Sequence, residues 1–153
     1  MPVFTAADIP AALEASDLGT YTARLLSDAG KLTLFGAFLE TLLPGSASAR
    51  PHWHAREDEL IHVIAGNPTV VEGGRATRLS AGDTATFKAG TPVGHFMCND
   101  TQTEATYLVI GTRSGDDVVT YTDNGDILTV KNGIKTLRNA NGDTLKTAPY
   151  HGA

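Results

Sequence analysis

Between Gly19 and Asp123 the chain is cut into short apolar stretches by turn-forming residues at close intervals. Asp28-Ala29-Gly30, Pro44-Gly45, Gly66-Asn67-Pro68, Gly73-Gly74, Ala81-Gly82-Asp83, Asn99-Asp100 and Gly115-Asp116-Asp117 each favour a reversal. Glycine reaches positive φ, proline fixes its own φ, and Asp and Asn side chains bond to nearby backbone. The stretches between them are YTARLLS, KLTLFGAFLETLL, ELIHVIAG, PTVVEG, ATRL, TATF, GHFMCN and ATYLVIGTR, rich in Val, Ile, Thr and aromatic residues. Strands recurring about every 8 to 12 residues point to a β-sandwich or barrel. No long helical segments alternate with them, which argues against a parallel α/β sheet. The expected fold class is all-β.

The two ends depart from this pattern. Thr5 is placed to cap a short helix over residues 6–16, with Asp8 at the third helical position and Pro10 in the first turn. Near the other end, Asn132-Gly133 is a two-residue hairpin signal and Asn141-Gly142 a second turn. A C-terminal hairpin extension over residues 124–153 is therefore expected beyond a core of residues 20–123, either covering an edge strand or crossing to a second subunit.

At 153 residues and 16.1 kDa the chain is expected to be a single domain, 1–153, long enough to bury a core without disulfides. Cys98 is the only cysteine, which excludes an internal disulfide and a thiolate zinc cluster and fits a reducing, cytoplasmic setting. A net charge of -5 argues against a nucleic-acid partner, whose footprint is usually basic. MPVFTAADIPAALEA has no basic run of the kind that opens a secretion signal, and LTLFGAFLETLLPG is broken by Glu40 well short of a membrane span, so no membrane partner is expected.

RPHWHAREDELIHVIAG, residues 50–66, holds three of the five histidines. Side chains alternate along an extended segment, so His52 and His54 project from one face and Trp53 from the other. The polar run AREDE can turn the chain, and Glu59 then opens an apolar strand, where a carboxylate can return beside the imidazoles. Glu59, Ile61 and Val63 share one face of that strand. His62 lies on the other with Leu60 and Ile64, and is read as a half-buried or interface histidine. His95, in KAGTPVGHFMCN, opens a further short strand with Asn99 on its face. Three imidazoles and a carboxylate form a mixed N/O set suited to a first-row divalent metal.

Other residues have plainer readings. Arg50, Arg56, Glu57 and Asp58 read as a solvated rim. Trp53, Phe87, Phe96, Met97 and Tyr107 read as core, and Cys98 as a small buried hydrophobe. His151, close to the end, is expected to be superficial. No GxSxG, P-loop or GxGxxG is present, so serine hydrolysis, ATP chemistry and nicotinamide-dependent hydride transfer have no visible machinery.

HWHAREDELIHVIAG resembles the first motif of the cupin superfamily, with His52, His54, Glu59 and Gly66 at matching positions. AGDTATFKAGTPVGHFMCN resembles the second, through Gly82, Gly90, His95 and Asn99. The short intermotif segment, residues 67–81, is typical of small single-domain bacterial cupins, and the resemblance covers roughly residues 20–123. Lys88 departs from it, standing where the second motif has proline. Asp58 competes with Glu59 as the carboxylate, and Glu59 is preferred because its interval to Gly66 matches.

The resemblance implies a jelly-roll barrel, the double-stranded β-helix, holding a divalent transition metal (Zn, Fe, Mn or Ni) on His52, His54, Glu59 and His95. Four protein ligands leave up to two octahedral positions for water, oxygen or a chelating anion. The implied activity is binding or transforming a small oxygen-rich metabolite, a sugar derivative or an organic acid, by isomerase, lyase or dioxygenase chemistry. A phosphorylated substrate would need cations, for which Arg50, Arg56, Arg78 and Lys88 are available. Two other readings stay open: a sensing module without turnover, and a metal-free barrel whose histidines are structural or acid–base groups. Partners are expected to be a small-molecule ligand and a second copy of the chain, because the strand from Lys31 to Leu43 is apolar on both faces.

Overall fold

The computed structural model describes residues 2–150; Met1 and residues 151–153, His151 among them, lie outside the described residues. The elements run β1 (Ala12–Ser16), β2 (Gly19–Leu25), α1 (Leu26–Ala29), β3 (Phe35–Leu42), β4 (His52–His54) and β5 (Glu59–Ala65). They continue as β6 (Thr69–Glu72), β7 (Arg75–Arg78), β8 (Thr84–Phe87), β9 (His95–Cys98) and β10 (Ala105–Thr112). The chain closes with β11 (Asp116–Tyr121), β12 (Ile127–Lys131), β13 (Ile134–Arg138) and β14 (Thr144–Pro149).

Two antiparallel sheets result, ordered β1-β2-β3-β10-β5-β8 and β14-β13-β12-β11-β4-β9-β6-β7. The polar run between β4 and β5 carries the chain from the second sheet to the first, so ligand candidates on these adjoining strands come from different sheets. Period-two alternation builds the core. On β10 Ala105, Tyr107 and Val109 are buried while Thr106, Leu108 and Ile110 between them are half-buried. Leu42, Ile61, Val63, Val70, Leu79, Phe87 and Met97 complete the cluster with Tyr107 and Val109. Trp53 and Phe96, expected in the core, are only half-buried.

The N-terminal helix expected over residues 6–16 does not form. Asp8 does bond back to Thr5, accepting from its amide at 2.7 Å and its hydroxyl at 2.8 Å, but this closes a single turn. Pro10 lacks an amide hydrogen and biases Ile9 away from helical dihedrals. Residues 12–16 instead pair with β2, Ala12 opposite Ala23 through Ser16 opposite Gly19. The helix among the described residues is the single turn α1.

The C-terminal extension is a three-strand meander in place of one hairpin. Asn132 and Gly133 adopt φ of 51° and 72°, the pair of positive angles a two-residue hairpin turn requires. β12 pairs with β11 of its own chain, lengthening the second sheet at the edge beside β4.

Candidate metal centre

His52 and His54 lie on β4, two residues apart on one face, and His52 stands opposite His95 on β9. Glu59 opens β5 in the facing sheet. His52, His54 and Glu59 each offer a ligand atom, all within 4.8 Å of one another. Glu59 Oε2 is 3.8 Å from His54 Nε2 and 3.7 Å from His95 Nε2. Two donors each bound at about 2.1 Å to one ion stand at most about 4.2 Å apart, so each separation suits an ion beside Glu59, and His95 lies outside the mutually close group of His52, His54 and Glu59.

The tautomers follow from the other ring nitrogen. His52 Nδ1–H donates to the Arg50 carbonyl at 2.7 Å, and His54 Nδ1–H donates to Asp117 Oδ2 at 2.7 Å. Both acceptors lack a proton, so both imidazoles turn an Nε2 lone pair inward. His95 is 3% exposed, and its Nε2 is buried without a hydrogen-bond partner. Phe87 stacks on the His95 ring, centroids 3.6 Å apart and planes 3° from parallel, and fixes its orientation. A buried imidazole nitrogen left unpaired is costly, and a cation at the meeting point of these donors would satisfy it.

Asp58, the competing carboxylate, is engaged elsewhere: its Oδ1 accepts the Ala89 amide at 2.8 Å. His62 bonds to Thr84 on the outer side of β5 through Nδ1 at 2.8 Å.

A family model for the cupin domain matches residues 38–111, which include all four candidate ligands. The chain carries a cupin domain. Among solved structures, a sugar phosphate isomerase of the cupin superfamily from Silicibacter pomeroyi is similar at 29% identity and TM-score 0.84, covering 95% of this chain and 97% of that one. A putative sugar phosphate isomerase from Acidithiobacillus ferrooxidans is similar at 26% identity and TM-score 0.82, covering 94% and 96%. A predicted oxalate decarboxylase from Thermotoga maritima shares the fold at 20% identity and TM-score 0.63, covering 73% and 99%. A search of curated proteins returned no match.

In this cupin His52, His54 and Glu59 open into a cavity of about 240 Å³, walled by Phe38, Ile61, Met97 and Val109 and bearing Glu40, Glu57 and Arg113 as further charged groups, with His95 outside its lining. Of the cations that looked available for a phosphate, the three arginines are paired with carboxylates. Arg50 binds Asp123 and Asp126, Arg56 binds Asp116, and Arg78 binds Asp100. Lys88 does not line this cavity: it borders a crevice of about 10 Å³ shared with His54 and His95, and an outer cleft of about 400 Å³ shared with Asp58 and Glu59.

Three residues of this neighbourhood escaped sequence reasoning. Asp117, 2% exposed, holds His54 and also accepts the Arg56 amide at 2.9 Å. Burial favours the neutral carboxyl, but these two donors outweigh it and hold Asp117 below the ordinary carboxylate range. Burial likewise opposes a charged His54, and the Asp117 bond with the nearby carboxylates overrides it and raises its pKa. Asp117 therefore orients the ring, and Asp117→Asn is expected to weaken Zn(II) affinity roughly 10- to 100-fold with the fold intact, read by competition against a chromophoric chelator.

The other two are Glu40 and Tyr107. Glu40 on β3 is 6% exposed, and the Tyr107 hydroxyl, on a fully buried side chain, donates to its Oε1 at 2.5 Å. Burial, opposed by that bond and reinforced by the charge of Glu59, pushes Glu40 up to about 7. Both residues lie opposite each other in the β3–β10 register, with Tyr107 also opposite Val63 of β5.

Proposed function

We propose that this cupin holds a divalent transition metal on His52, His54, Glu59 and His95 and uses it to bind or transform a small oxygen-rich metabolite, a sugar derivative or an organic acid. The observation that carries the reading is the buried, unpartnered His95 Nε2, which shares Glu59 Oε2 as neighbour with the inward-facing Nε2 of His54. Three neutral imidazoles and one carboxylate would leave a divalent ion about one positive charge, which polarises a carbonyl or stabilises an enolate.

Isomerase-type chemistry on a hydroxycarbonyl compound is the activity this arrangement favours, and the similarity to proteins named sugar phosphate isomerases supports it. The phosphate itself has less support. Arg113 is the cation lining the cavity among the described residues, and its guanidinium already donates to Asp28 at 2.5 Å and to the Leu32 carbonyl at 2.7 Å. Glu40, Glu57 and Glu59 line the same space. A dianionic group placed there would meet three carboxyl groups, whereas hydroxyls and a carbonyl would be met by hydrogen bonds.

The test uses protein purified without a metal-affinity tag, analysed for metal and then incubated with a panel of unphosphorylated and phosphorylated aldoses and ketoses under NMR observation. Near-stoichiometric metal and interconversion of an aldose–ketose pair are the expected outcomes. A rise in melting temperature without consumption would identify a binding module in place of an enzyme. Protein that neither contains metal nor can be reconstituted with it would sink the reading.

A further inference from the structure

We propose that Glu40 is the proton-transfer residue of this cavity, acting through Oε2 on a carbon beside the carbonyl of a ligand held at the histidine cluster. This rests on the metal-centred reading above and assigns a reaction role to a residue outside the ligand set.

The first support is position. Glu40 lines the same cavity as His52, His54 and Glu59, and that cavity is about 240 Å³. Liquid water occupies about 30 Å³ per molecule, so this space holds about eight water-sized groups. A ligand of triose or tetrose size that reaches the imidazoles fills enough of it to meet Glu40 as well. Along β10, Glu40 stands opposite Tyr107 while Glu59 stands opposite Gly111, so the two carboxyl groups enter the space from different levels of one sheet.

The second is its hydrogen bonding. Tyr107 fixes Oε1, and no described residue bonds to Oε2. Oε2 is nevertheless not a sealed orphan: the buried side-chain polar atom without a partner among the described residues is His95 Nε2. No cation pairs with Glu40 among the described residues, whereas Asp123, Asp116 and Asp100 are each tied to an arginine. A buried carboxyl group without a counter-ion, anchored through one oxygen and open through the other, is built to exchange a proton. Its pKa of about 7 allows both forms near neutrality.

The step balances without an oxidant. The Glu40 carboxylate removes a proton from the carbon next to the carbonyl, and the C–H electron pair forms the C=C bond of an enediolate. The carboxylic acid then returns the proton to the same carbon, giving exchange, or to its neighbour after an oxygen proton moves, giving isomerisation.

Exchange is the direct readout. Mn(II)-loaded protein is incubated in D₂O with glycolaldehyde, dihydroxyacetone and glyceraldehyde, and loss of the C–H signal beside the carbonyl is followed by NMR. Wild type is expected to exchange at least one probe, at a rate rising with pH as Glu40 ionises. Glu40→Gln is expected to lower the rate by at least about 100-fold with metal content unchanged.

Two further readouts do not depend on turnover by that variant. Burial raises Glu40, so the folded state takes up a proton more readily than the unfolded chain, and stability falls as pH rises from the ordinary value of 4.5 to about 7. Glu40→Gln should therefore gain melting temperature over wild type at pH 8 more than at pH 4, measured without metal. The Tyr107 bond lowers the Glu40 pKa, so Tyr107→Phe should move the exchange profile to higher pH.

Exchange by Glu40→Gln within threefold of wild type overturns the inference and leaves the metal reading standing. Metal-loaded wild type that exchanges none of the probes overturns the inference together with the proposed isomerase chemistry. If Glu40→Gln does not fold, the Tyr107→Phe profile decides: an upward shift supports the assignment, and an unmoved profile overturns it.

Discussion

His95→Ala is expected to weaken metal binding about 100-fold or more while the protein remains folded. Apparent binding free energies of structural zinc sites are about 10–16 kcal/mol, so one ligand in four accounts for about 3 kcal/mol, a loss of about 100-fold or more in affinity. The effect on the apo fold is smaller because two contributions oppose each other. The substitution removes a buried ring and its stacking on Phe87, which destabilises, and it also removes an unpaired buried nitrogen, which stabilises. The discriminating measurement is therefore the melting-temperature gain on adding Zn(II) or Mn(II) to metal-free protein: substantial in wild type, and much smaller in His95→Ala and in His52→Ala. His62→Ala serves as the control, since His62 binds Thr84 on the outer side of β5 and should leave the gain intact. An equal gain in His95→Ala and wild type would place the ion elsewhere.

What the sequence made legible is what local rules govern. His52 and His54 share a face because side chains alternate, and AREDE turns because it is polar. The structure adds that this turn changes sheets, which is why Glu59 approaches the imidazoles from the opposite wall. The all-β class and most strand positions follow from turn residues acting over a few positions. The N-terminal helix failed where two local rules competed: the Thr5–Asp8 cap did close, and Pro10 ended what it began.

The groups around the donors were not legible, because their contacts are set by sheet register. Asp117 meets His54 across 63 positions of sequence, and Tyr107 meets Glu40 across 67. Glu40 did leave a trace, as a charged residue interrupting an apolar strand, but the trace only argued against a membrane span. A buried carboxyl in a core strand is itself a sign of function, and it becomes readable once the strand's inward face is known.

Gly66→Ala is expected to destabilise the protein by about 3 kcal/mol or more, a fall of about 10 °C in melting temperature. Gly66 has φ of 76°, and a Cβ there would sit 2.4 Å from the Glu104 carbonyl oxygen and 2.8 Å from the Ala105 Cα. Both obstacles are backbone at the entry to β10, so relief requires moving that strand. Gly74→Ala isolates the contact term: its φ of 80° carries the same left-handed strain, but nothing lies within 4 Å of the added Cβ, so only about 1 kcal/mol is expected. Equal melting temperatures for the two variants would mean that backbone strain alone governs Gly66. The contact also assigns Gly66 a different task from the histidines that share its motif. Gly66 follows β5 at the end opposite Glu59, so folded Gly66→Ala protein should still load metal. The strand it would displace carries Tyr107, and with it the setting of Glu40.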